Sequence, residues 1–265
     1  MKVTAIATAV LLAGSVIAAP GTAMRKARAA GRRNPGKQSK PMVPSSGEVQ
    51  AKLSEISNIS HVEYSTNWAG AVLIGTGYTS VTGTFTIPTP STTGSGSAWV
   101  GIDGDTCGTA ILQTGVDWTR SSSGRITYDA WYEWYPDYAY DFRNGITLAA
   151  GNVITVTVTA SSKTGGTAVI KNTSTGTSVT HKFSNEASLG SLCEYNAEWI
   201  VEDFQSGSSL VPFANFGTVT FTGASATKSG TKVGVTGASI LDIEQTNVLT
   251  NCALVGSTGV TCSYI

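Results

Sequence analysis

From about residue 62 to its end the chain never sustains a helical period. Val81–Ile87, Val153–Thr159, Thr167–Lys171 and Thr218–Thr222 instead alternate with period two between clusters of Gly, Ser and Thr. Such alternation puts successive side chains on opposite faces of a half-buried strand. Many short strands joined by Gly-rich turns leave an all-β class, an antiparallel β-sandwich or barrel. A body of about 205 residues buries roughly 70% of its unfolded surface. It needs no second subunit to form a core, and a monomer is expected.

The front of the chain has a different texture. Met1–Lys2 is followed by an apolar run from Ala5 to Ala18, then small residues and Pro20. A charged start, a short apolar stretch and a small-residue cleavage site read as a secretory signal over 1–19. Cleavage after Ala18, Ala19 or Ala23 stays open. The run falls short of the roughly 20 residues that span a bilayer, so no membrane partner is expected and the product is extracellular. Residues 20–60 read as a basic propeptide and 61–265 as the folded domain. Within the propeptide, residues 24–47 are rich in Gly, Pro and Ser and are expected to stay flexible. Val49, Leu53 and Ile56 give 48–59 a helix-like spacing.

The zero net charge conceals a division. Residues 1–60 carry nine Lys/Arg and two acids, +7, while residues 61–265 carry eight basic and fifteen acidic residues, −7. Without a basic body to release counterions, a nucleic-acid partner is excluded. The charges predict that Arg25, Arg28, Arg32 and Arg33 are drawn onto carboxylates of the body at neutral pH and released as acid protonates them.

The residue inventory limits the chemistry. Four cysteines (Cys107, Cys193, Cys252, Cys262) in a secreted chain imply two disulfides with three possible pairings. No CxxC or Cys/His cluster suggests a metal, and no cofactor is expected. Asn58 and Asn172 stand in N-x-S/T sequons. His61 and His181 are the two histidines. GxSxG and HExxH are both absent, and no glycine-rich loop precedes a helix. A pepsin-like enzyme needs two Asp-Thr/Ser-Gly loops, and the chain offers Asp105-Thr106-Cys107. Carboxylates, amides and aromatics remain.

Those groups fall on common faces. Period two unites Trp99, Gly101 and Asp103. It also unites Thr109, Ile111, Gln113, Gly115 and Asp117. Asp129, Trp131, Glu133, Tyr135 and Asp137 share a third face, and Asn196, Glu198, Ile200, Glu202 and Phe204 a fourth. Solvated outer faces would explain the acids alone. Large aromatics beside them point to an acidic, aromatic-walled groove.

Three blocks are recognisable: SAWVGIDGDTCGTAILQTGVD over 97–117, YDAWYEWYPDYAYDF over 128–142 and AEWIVEDF over 197–204. They resemble the glutamic peptidases, or eqolisins, acid endopeptidases secreted by filamentous fungi. The resemblance runs from Asn67–Trp68 to the end of the body. It implies two curved antiparallel sheets in a jelly-roll or concanavalin-like sandwich, a zymogen held by its own propeptide, and protein or peptide substrates. It also implies a catalytic Gln/Glu pair. The glutamine maps to Gln113. The glutamate block offers Glu198 and Glu202, about 13 Å apart along a strand. Glu202 is taken, because the family's substrate-pocket Phe follows its glutamate by two, here Phe204. Groove roles follow for Trp68, Trp99, Asp117, Trp131, Glu133 and Tyr135, and the shared face adds Asp103. The segment 118–127 and the last nineteen residues depart from the family pattern.

The expected chemistry has Glu202 as general base on a water, then as acid to the leaving amine, with the Gln113 amide donating to the oxyanion. Such a site should ignore pepstatin and chelators. The expected disulfides are Cys107–Cys193, tying the two catalytic strands, and Cys252–Cys262, closing a short hairpin. One rival reading is a jelly-roll glycoside hydrolase using Glu133 and Glu202. Another is a carbohydrate-binding module without catalysis.

Overall fold

The computed structural model describes residues 36–45, 62–142 and 144–265. The expected signal 1–19, the helix-like stretch 48–59, the arginines of the prosegment and the sequon at Asn58 lie outside them.

Two eight-stranded sheets form a sandwich. One runs in the order Val62–Ser65, Ser239–Ile243, Trp68–Ile74, Asn196–Glu202, Gly94–Ile102, Ile111–Arg120, Ile126–Tyr135, Tyr140–Asp141. It carries the blocks that suggested a groove. The other centres on Val153–Ser162, Tyr78–Thr86 and Thr218–Lys228. Pairing is antiparallel as expected, except at one edge, where Val62–Ser65 runs parallel to Ser239–Ile243. Helix is confined, among the described residues, to a 3-10 turn at Glu186–Ser188.

The period-two reading assigns the faces correctly. Trp199 and Val201, Leu112, Val116 and Trp118, and Ala130, Tyr132 and Trp134 point between the sheets with Phe85, Val156 and Phe221. Each large apolar side chain buried there stabilises the fold by about 1.5–3 kcal/mol. Trp199 satisfies its indole N–H on the Thr82 carbonyl of the opposite sheet, 2.8 Å, and so ties the layers. The outer face of the second sheet is laddered by threonine hydroxyls, Thr82 with Thr157 and Thr84 with Thr155. Cross-strand pairs of this kind fit a wet surface.

The disulfides are Cys107–Cys193 and Cys252–Cys262. The sequon residue Asn172 is fully buried, its amide donating to Thr147 and Asn152. That nitrogen is committed to the fold.

One expectation is corrected. The composition of 24–47 predicts a flexible stretch, because it cannot build a core of its own. Residues 36–45 nevertheless take a defined path. Lys37–Gln38 pairs with Gln205–Ser206, which pairs with Ser209–Leu210, as a third small sheet. Lys37 and Ser39 are 4% and 0% exposed. The segment is ordered by a groove the body supplies.

Candidate active site

The other face of the first sheet holds a second apolar cluster of Trp68, Trp99, Ile111, Trp131 and Ile200, with Tyr135 packed against it. Trp68 meets Trp99 edge-on, 5.0 Å between ring centroids. Glycines clear the floor. A Cβ on Gly115 would stand 2.4 Å from the Cβ of Trp99, and one on Gly101 2.7 Å from Glu198 Oε1 and 2.8 Å from the Trp99 ring. Only glycine lets the backbone pass this close beneath the indole.

Strand register arranges the polar groups in rows. Gln113 stands opposite Glu133 on one side and Gly101 on the other, and Gly101 opposite Glu198. Four residues along, Asp117 stands opposite Ser97, and Ser97 opposite Glu202. Trp99 fills the row between them. Its indole donates to Glu202 Oε2 at 2.9 Å.

The segment 36–45 lies across these rows as a strap. Gln113 Nε2 donates to the Ser39 carbonyl oxygen, 2.9 Å, and the Ser39 backbone N–H donates to Glu133 Oε2, 3.1 Å. The Ser39 hydroxyl lies beside Glu202. Lys37 forms an ion pair with Asp117. Its ammonium also sits 4.3 Å from the Trp131 ring centre and 4.8 Å from that of Phe204. A buried cation on an aromatic face gains about 2 kcal/mol. Beyond Ser39, Met42 donates its N–H to the Gly104 carbonyl, and Val43 donates to the Asn67 side chain, both at 3.0 Å.

Burial dominates the electrostatics. It pushes the Glu202 carboxyl up to about 8, against the pull of the Ser39 hydroxyl, the Lys37 ammonium and the Trp99 indole. Glu133 is raised well above its ordinary value by burial, less the relief from the Ser39 N–H and Lys37. Burial also raises Asp117, with Lys37 opposing it. With the strap in place the groove is a cluster of carboxyls that hold their protons in acid.

The expected site residues Gln113, Glu202, Trp68, Trp99, Asp117, Trp131, Glu133, Tyr135 and Phe204 thus gather on one face. Asp103 does not join them. It is fully buried, and its two oxygens accept four backbone N–H groups, from Cys193, Glu194, Tyr195 and Asn196, at 2.7–3.2 Å. Shared strand parity pointed it at the groove. The strand ends at Ile102, and Asp103 turns away at φ 70°. It is an anchor for the Cys193–Asn196 segment. Glu198 is also fully buried, and neither oxygen meets a hydrogen-bond partner among the described residues. Burial, then Asp103 and Asp105, raise it well above its ordinary value. Ser97 was missed. It accepts the Trp131 indole N–H at 3.2 Å and fixes that ring. Carrying the Trp99 face back one step of two would have found it.

A sandwich whose groove brings a buried amide and two carboxyls to one backbone residue, Ser39, is the arrangement of a peptidase of the carboxylate–amide kind. The chain matches the Peptidase A4 family over residues 66–264, and it belongs to that family, the eqolisins or glutamic peptidases. It is 51% identical to Aspergillopepsin-2 of Aspergillus niger over the whole of both chains. It is 43% identical to Scytalidopepsin B of Scytalidium lignicola over 98% of each. Among solved structures it resembles scytalido-glutamic peptidase with a transition state analog inhibitor. The TM-score is 0.70 and the identity 47%, over 76% of this chain and 98% of that one. It likewise resembles aspergilloglutamic peptidase from Aspergillus niger, TM-score 0.62 and 59% identity, over 64% and 99%. The glycoside-hydrolase reading is not favoured beside these.

Proposed function

We propose that the protein is a secreted acid endopeptidase in which Gln113 and Glu202 form the catalytic pair, made as a precursor with a propeptide over 20–60, of which residues 36–45 occupy the groove until acid starts maturation. The observation that carries the reading is the hold on Ser39. A backbone carbonyl of the chain itself rests on the Gln113 amide, with Glu202 beside the same residue and Glu133 on its N–H.

The chemistry follows from these groups. A substrate carbonyl seated where that of Ser39 lies receives the Gln113 N–H. This bond strengthens as the oxygen becomes an oxyanion, and one such donor lowers the barrier by about 3–4 kcal/mol. Glu202 takes a proton from the attacking water and returns one to the departing amine. An amide has no charge to lose in acid, so Gln113 keeps its role where a histidine would be fully protonated. Trp68, Trp99, Trp131 and Phe204 exclude water and seat side chains, while Asp117 and Glu133 hold polar parts of the bound chain.

The prosegment is the first occupant of this groove. Lys37 supplies the contact with Asp117 that the charge division of the sequence leads one to expect, from a lysine nearer the body than the four arginines. As acid protonates Asp117 the ion pair weakens and the Lys37 anchor loosens, while the hydrogen bonds of Ser39 to Gln113 and Glu133 keep the segment in the groove.

Acidifying the purified precursor with denatured casein tests the reading. Gln113→Ala and Glu202→Gln should each abolish casein cleavage and maturation with the fold intact by circular dichroism, and pepstatin should leave the parent active. A folded Glu202→Gln enzyme with parental activity would overturn the pair.

A further inference from the structure

The strap is held on both sides of one peptide bond. Before it, Lys37–Gln38 adds a strand to Gln205–Ser206, and Lys37 is pinned at Asp117 between the Trp131 and Phe204 rings. At the bond itself the Ser39 N–H is fixed on Glu133 and the Ser39 carbonyl on Gln113. After it, the Asn67 side chain receives the Val43 N–H and donates to the Lys40 and Pro41 carbonyls at 3.4 and 3.2 Å. Met42 is tied to Gly104. An obstructing segment needs only to fill the groove. This one crosses it extended, with one carbonyl on the candidate oxyanion donor and anchored chain to either side, as a substrate lies before attack.

The geometry points to the Ser39–Lys40 bond as the first bond this enzyme cuts in its own chain. The inference rests on the assignment of Gln113 and Glu202 made above. Water adds its oxygen to the Ser39 carbonyl carbon while Glu202, in its ionised form, takes one of its protons, and the oxyanion is held by Gln113. The C–N bond to Lys40 then breaks as a proton passes to the Lys40 nitrogen. The products are a carboxyl at Ser39 and an amine at Lys40. The cut frees the two halves of the strap from each other. The N-terminal half then keeps the Lys37 anchor, the two-residue strand, the Ser39 N–H on Glu133 and the Gln38 amide on Pro136 and Asp137, and the C-terminal half keeps Asn67, Gly104 and the ties of Val43 and Ser45 to Thr66, Tyr64 and Glu244. Each half, held by only part of the contacts that held the joined strap, leaves more readily than the whole. The cut is intramolecular, since the strap already lies in its own groove.

The test is a time course of the full-length secreted precursor, purified at neutral pH and then acidified, with mass spectrometry of every fragment. The expected first products are a large fragment starting at Lys40 and a small one ending at Ser39, ahead of any cut at the end of the propeptide near residue 60. Their rate should be unchanged over a hundredfold range of protein concentration. Lys40→Pro replaces the leaving amine with a tertiary nitrogen and should abolish this fragment and slow maturation. Its activity on casein, once matured by added parent enzyme, should equal that of the parent. Release of the 36–45 stretch uncut would overturn the inference, as would a first cut elsewhere or a rate proportional to concentration. Failure of the underlying reading looks different. If the inference alone fails, the parent still digests casein and Glu202→Gln does not. If the catalytic assignment fails, Glu202→Gln still cuts itself.

Discussion

Trp99 and Glu202, 103 residues apart in sequence, meet through a 2.9 Å hydrogen bond from the indole N–H to a carboxylate oxygen. The bond favours the charged form of Glu202 and so opposes the burial that raises it. In Trp99→Phe an aromatic ring, smaller than the indole, remains and the donor is lost. Glu202 should then ionise at higher pH. A general base must be ionised, so the acid limb of the kcat/KM profile should move upward by roughly one pH unit, the scale of a charge-assisted hydrogen bond. An unmoved limb would show that Glu202 does not set it.

Glu198 stands across Gly101 from Gln113, and burial, then Asp103 and Asp105, favour its neutral form. A neutral carboxyl and an amide have nearly the same shape. Glu198→Gln should therefore keep kcat/KM within about threefold and leave stability unchanged or improved. Loss of all activity in a folded Glu198→Gln protein would exchange the roles of the two glutamates.

Asp103 is expected to matter for stability. Removing its carboxylate in Asp103→Ala leaves four N–H groups without their acceptor, and each buried orphan costs about 1–3 kcal/mol. Unfolding should occur at clearly lower denaturant, with a loss of at least about 3 kcal/mol. Any protein that survives should keep its KM. A variant as stable as the parent would return Asp103 to the groove.

The pH dependence of stability should run opposite to that of most proteins. Burial raises Asp105 to about 6, and Asp203 and Asp242 to about 7. The unfolded values lie near 3.9. Between about 4 and 7 the folded state binds more protons than the unfolded state, so stability is fully present in acid and falls as pH rises through that window. The melting temperature should drop by roughly 5 °C or more from pH 4 to pH 8. Asp203→Asn with Asp242→Asn should flatten the curve. A melting temperature that rises over this range would contradict the assignment.

Strand parity was legible in the sequence because it is a local property of an extended backbone. Alternation alone put Trp99, Gln113, Trp131, Glu133 and Glu202 on groove faces, and the structure fills the opposite faces with Trp118, Trp134 and Trp199 in the core. The disulfides were legible too, since Cys252 and Cys262 face each other across one hairpin and Cys107 and Cys193 flank the two strands of the pair. Register was not. Sequence separates Glu198 from Glu202 by two repeats of the pleat, which leaves them on one face, and says nothing of which partner each one meets. That depends on how whole strands slide against each other to fill the core. Asp103 shared its strand's parity but sits where the strand stops, and a segment ninety residues away supplies its partners. The strap is the plainest case. Its composition marks a chain with no core of its own, which is correct. Its order comes entirely from a groove assembled from strands distant in sequence, and only the tertiary structure brings the Ser39 carbonyl to the amide of Gln113.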